Sequence, residues 1–149
     1  MTSRLLALAE NGGNPMIIRY LISILVFVAF DAVWLGVVAT RFYRDHIGHL
    51  MMEQAKLVPA LLFYLIFLAG LNLFVLAPHK DSSYATIAQY GAAFGLVTYA
   101  TFDLTSQAVF IDFPTIVVVV DLCWGAFLSM SIALTTTWIL RRMNKHVSS

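Results

Sequence analysis

The sequence predicts an all-α fold: a four-transmembrane-helix bundle with short loops and both termini on the same side. Three observations lead there. Of the 149 residues, 60% are hydrophobic and only 11% are charged, whereas a typical soluble domain carries about 25% charged residues. Apolar segments fall near residues 17–39, 57–77, 86–110 and 115–140, and at about 1.5 Å of rise per residue each can cross a hydrocarbon core of about 30 Å. Proline marks the boundaries, with Pro59 suited to the first turn of the second helix, Pro78 closing it and Pro114 opening the fourth.

Along the chain, residues 1–15 read as a polar, Gly- and Asn-containing extension, and Met16 is an alternative start. Residues 16–141 form a single four-helix transmembrane domain, and 142–149 a polar C-terminal tail. Val37 and Ala39 resemble a signal-peptidase site, but the apolar run before them exceeds the usual 7–15 residues of a signal segment, so it reads as a retained helix. The loop at 40–56 places Phe42, Ile47, Leu50 and Met51 at helical spacing among charges. Either a short interfacial helix or an ordinary packed connector fits that pattern. An even number of spans puts Arg4, Arg19, Lys80, Arg141, Arg142 and Lys145 on the side of the termini, against Arg41, Arg44 and Lys56 opposite. The positive-inside rule then predicts cytoplasmic termini.

Charge and cysteine content exclude several functions. Nine Lys and Arg stand against eight Asp and Glu, and no basic stripe suggests nucleic acid. One cysteine, Cys123, allows neither an internal disulfide nor a Cys-built metal cage. His46 and His49 share a helical spacing but lie in a wet loop, and no metal site or cofactor is read from the chain.

The informative residues are Asp31, Asp103 and Asp121, each inside an apolar span. A carboxylate near the centre of an isolated transmembrane helix costs about 2.5–3.5 kcal/mol, so such residues face the bundle interior or a cavity and are functional candidates. Counted from the helix ends, all three sit at one depth, and Tyr64 of the second helix joins them. On the third helix Tyr99, Asp103 and Ser106 share a face, with Thr105 and Gln107 flanking. The fourth carries Asp121, Gly125 and Ser129 as a stripe beside Trp124, and the first aligns Ser23, Phe27 and Asp31, with Trp34 a turn further on. Gly91 and Gly95 form a G-x-x-x-G that permits close helix packing, as Gly125 does opposite. Three carboxylates in low dielectric cannot all stay ionised without a counter-charge. Protons, a bound cation or a cationic ligand must share the layer. Alternatively, buried aspartates can simply tie helices together through hydrogen bonds.

The strings FDAVWLG (30–36), RFYRDHIGHL (41–50), LLFYLIFLAG (61–70), YATFDLTSQA (99–108) and DLCWGAFL (121–128) resemble a bacterial membrane family catalogued as domain of unknown function 2177. The resemblance runs from about residue 17 to residue 140 and implies a four-helix protein of the bacterial inner membrane. It supplies no reaction. Where that family usually has Asn after Leu-Thr, this chain has Ser106.

The leading expectation is an intramembrane three-aspartate layer that binds or transports a proton, cation or small polar ligand. Asp31, Asp103 and Asp121 would hold the charge, with Tyr64, Tyr99, Thr105, Ser106, Trp34 and Trp124 around them. An enzyme acting on a lipid or quinone by carboxylate acid/base chemistry is the first alternative. An accessory subunit of a larger membrane complex is the second. The expected partners are the lipid bilayer and either a second copy of the chain or a complex subunit.

Overall fold

The computed structural model describes residues 14–147, with side chains to residue 145. Most of the expected N-terminal extension, Arg4 included, lies outside the described residues, as do positions 148–149 of the tail. The described chain is helical, with no strand. Helix α1 spans Pro15–Trp34, α2 Thr40–Ile47, α3 Leu57–Leu71, α4 Tyr84–Val109 and α5 Thr115–Val147.

Helix starts follow from local chemistry. The Asn14 side chain accepts from Met16 N at 3.0 Å, and Pro15 occupies a position whose N–H would be unpaired in any case. Ser83 caps α4 in the same way, accepting from Thr86 N at 3.1 Å. Between α4 and α5 the chain turns through Asp112 at φ 59°, a left-handed conformation that Asp tolerates.

The first helix is longer than the hydropathy suggests. A π-helical turn at Leu35–Ala39 joins α1 to α2, and a 3-10 turn at Gly48–Leu50 ends the run. The whole of Pro15–Leu50 is one helical stretch of 36 residues, so the first half of the expected 40–56 loop continues the first span. A second π turn, Asn72–Leu76, extends α3.

Three of these stretches, Pro15–Leu50, Leu57–Leu76 and Thr115–Lys145, are long and apolar enough to cross a membrane. Helix α4 has the length, at 26 residues, but falls outside that group. It carries more hydroxyls, and the helix itself absorbs many of them. Thr98 Oγ1 donates to the Phe94 and Gly95 carbonyls at 3.0 Å, and Thr101 Oγ1 to Val97 O at 2.7 Å. Such back-bonding removes most of the cost of a hydroxyl in an apolar setting.

The four long helices pack as a bundle, with the α4–α5 contact the most extensive. There the glycines decide the spacing. A Cβ on Gly91 would meet Met130 Cα at 3.0 Å, and one on Gly95 would collide with the Gly125 carbonyl. The core is built from Phe27, Leu68, Leu71, Ile87, Leu128 and Ile132. Helix α3 by contrast exposes Leu61, Leu62, Leu65 and Ile66, a surface suited to acyl chains rather than water. Hydrogen bonds mark the two ends of the bundle. Gln107 Nε2 donates to Thr115 Oγ1 at 2.8 Å at one end. At the other, Arg141 Nη2 donates to the carbonyls of Lys80 and Ser82 at 2.9 and 2.7 Å.

Candidate functional site: a carboxylate layer

The close α4–α5 approach places Asp103 against Asp121. Their carboxyl groups lie close enough to interact, and both are buried, at 1% and 7% exposure. Asp103 Oδ1 has no partner among the described residues. Asp121 Oδ1 also accepts from the hydroxyl of Tyr43, which lies near Trp34. The Trp34 and Trp124 rings stack at 4.2 Å and 9° beside this group.

Asp31 stands apart from that pair. It is partly exposed and accepts from Tyr64 Oη at 3.1 Å, while the Tyr64 ring packs 4.9 Å from Phe27. Tyr99 joins the two halves: it lies close to Asp31, Tyr64, Asp103 and Asp121, with its ring over Gly125. A side chain on Gly125 would displace that ring. The layer is therefore a carboxyl pair and a separate carboxyl–tyrosine couple, with Tyr99 near both. It is not a three-carboxylate cup, and among the described residues no three His, Cys, Asp or Glu converge as a metal site would require. Among the described residues no Lys, Arg or His pairs with these aspartates, and the one salt bridge is Lys80–Asp81.

Two of the expected neighbours part company here. Ser106 is buried on the Asp103 face of α4. Thr105 is exposed, and its hydroxyl donates to the Thr101 and Phe102 carbonyls of its own helix. One residue of α-helix is a rotation of about 100°, which turns Thr105 away from the face that Ser106 shares with Asp103.

Sequence periodicity misses Tyr43 for a definite reason. Tyr43 follows Asp31 by twelve residues, which on a regular α-helix puts the two about 120° apart. The π turn at Leu35–Ala39 inserts one residue, and this returns Tyr43 to within about 20° of the Asp31 direction. The other omission is Asn72, buried in the second π turn. Its Nδ2 donates to Ser23 Oγ and Leu68 O, both at 2.8 Å, and its Oδ1 accepts from Arg19 Nε at 3.1 Å. An amide within an apolar span was a visible signal; attention to ionisable groups alone passes over it.

No curated protein and no solved structure matches the chain. One family model does, over residues 16–138, which is most of its length and takes in Asp31, Tyr43, Tyr64, Tyr99, Asp103 and Asp121. The chain therefore belongs to the family described as "Predicted membrane protein (DUF2177)".

Proposed function

We propose that the layer binds and relays a proton, with the Asp103–Asp121 pair as its holding site. The observation that carries this reading is the contact between the two carboxyl groups. Ionised carboxylates only accept hydrogen bonds, so two that approach each other in a buried site become partners only with a proton on one. Two like charges at that separation in a buried site cannot both persist. Tyr43 extends the pair toward the 40–56 end of the bundle, and Tyr99 extends it toward Tyr64 and Asp31. Hydroxyls both donate and accept, which suits them to pass a proton between carboxyls. The separation of Asp31 from the pair favours a proton over a multidentate cation, because a cation needs several oxygens at one point.

Helix insertion in a bacterial inner membrane with cytoplasmic termini belongs to the same proposal, supported by six Lys and Arg at the end of the termini against three at the other. Infrared difference spectra between acid and alkaline pH test the holding site, with the protein in lipid. A carboxylic-acid carbonyl band is expected in the wild type and is lost in Asp103→Asn, while the mutant still inserts and its amide bands stay helical. Identical spectra for the two proteins would sink the proposal and leave the aspartates as assembly contacts, as an accessory subunit would have them.

A lipid- or quinone-directed enzyme draws on one further observation. An open groove of about 430 Å³ runs along Phe30, Trp34, Trp124 and Phe127 at the level of the layer. Its lining is apolar and includes no carboxylate. A ring or chain seated there meets the tryptophan stack rather than an acid or base, and this reading ranks second.

A further inference from the structure

At the opposite end of the bundle from Tyr43 lies a second polar feature, which the carboxylate chemistry does not use. A cavity of about 390 Å³ opens between the start of α1, the end of α3 with its π turn, and the last turns of α5. That size falls within the about 300–1,000 Å³ of small-ligand sites. Arg19, Lys80 and Arg141 line it from three separate segments, with Asp81 as the one carboxylate among its lining residues.

The three cations are held in different ways. Arg19 is partly buried and fixed through Nε to Asn72 Oδ1 at 3.1 Å, which leaves the outer edge of its guanidinium as a two-donor fork. Arg141 uses Nη2 on the Lys80 and Ser82 carbonyls and lies over the Tyr84 ring, 4.7 Å from its centroid. Lys80 meets Asp81 at 3.7 Å, with the two side chains 70% and 88% exposed. Such a solvated pair is weak, so Asp81 does little to quench the cleft. The wall between the cations is apolar, from Ile18, Leu76, Leu140 and Met143.

Preorganised guanidinium groups, an ammonium and an apolar wall at the end of a transmembrane bundle match one chemical class. We infer that this cleft binds a phosphate-bearing anion, with its charge on Arg19, Lys80 and Arg141. Arginine suits a phosphate because its planar fork bonds two oxygens at once, and basic clefts between transmembrane helices are the usual seats of anionic lipid headgroups. The phosphate can arrive on a lipid, with its acyl chain against the apolar wall, or free from the aqueous phase.

Native mass spectrometry of the full chain in detergent separates these sources. The probes are a short-chain phosphatidylglycerol, the phosphatidylcholine of equal chain length, and inorganic phosphate. Wild type is expected to retain one phosphatidylglycerol in preference to phosphatidylcholine. The Arg19→Gln/Lys80→Gln double variant should lose that preference roughly tenfold or more. Displacement of the lipid by inorganic phosphate at equal concentration assigns the site to free phosphate; no displacement assigns it to the lipid. Lys80→Gln alone guards against misfolding, since its side chain bonds to nothing that holds the bundle, and a partial loss of preference is expected. Equal retention of the two lipids by wild type with no phosphate adduct, or a double variant that binds like wild type, overturns the inference.

Discussion

Two of the places where the bundle buries polar groups are solved differently. Around Asn72 every partner is complementary. The amide donates to Ser23 Oγ and a carbonyl and accepts from Arg19, so α1 and the α3 stretch are tied with its donors and acceptor used. In the carboxylate layer two acceptors face each other, and Asp103 Oδ1 is left unpartnered among the described residues. A satisfied network repays its desolvation and needs no further purpose. A like-charge pair does not repay it, and holds together only with a proton or ligand between its members. The first cluster is fully paired, and the second is where the proposed proton would sit.

The most severe way to break the contrast is Gly95→Leu. Any side chain there collides with the Gly125 carbonyl, so α4 and α5 must move apart at a cost of about 3 kcal/mol or more. The variant should unfold at much lower denaturant in detergent and lose the Asp103–Asp121 contact with it. Asn72→Ala is expected to cost about 2 kcal/mol, because it removes the donor to buried Ser23, whose own hydroxyl still bonds Tyr20 O, and the acceptor of partly buried Arg19. Stability should fall by that amount in equilibrium unfolding, yet the infrared carboxylic-acid band should persist. Loss of the band in that variant would merge the two clusters into one functional unit.

Tyr43→Phe acts in the opposite sense. It removes the hydroxyl that donates to Asp121 at a stability cost of about 1 kcal/mol. Proton release after a pH jump, followed with a membrane-impermeant dye, should slow, whereas the fold is retained. Thr105→Val is the smallest change: an exposed residue whose hydroxyl serves only its own helix should shift stability by less than about 0.5 kcal/mol and leave proton release as in wild type. A clear slowing there would return Thr105 to the layer.

Much of this was legible in the residues. Apolar runs of about 20 residues broken by Pro59, Pro78 and Pro114 announce long helices, and the family resemblance, drawn from strings such as YATFDLTSQA, agrees with the match over residues 16–138. Helix α4 was legible too, expected near residues 86–110 and found at Tyr84–Val109, with threonine hydroxyls that bond to carbonyls of their own helix. Thr105 was misplaced because flanking an aspartate in sequence says nothing of which way a side chain turns when helix faces are about 100° apart per residue. Tyr43 falls within the expected 40–56 loop, whereas the helical run continues through it with a π turn that a regular period cannot anticipate.

The sequence by itself determined how many long helices form, where they start, and that three carboxyls lie within them. Hydropathy, capping and a rise of about 1.5 Å per residue are local properties that the chain carries wherever it folds. Only the tertiary structure decided that Asp103 meets Asp121 while Asp31 meets Tyr64, and that Tyr43 reaches back into the layer. Helix rotation and separation are set by contacts such as the Gly95–Gly125 approach, which depend on residues far apart in the chain and on the phase slip of a single π turn.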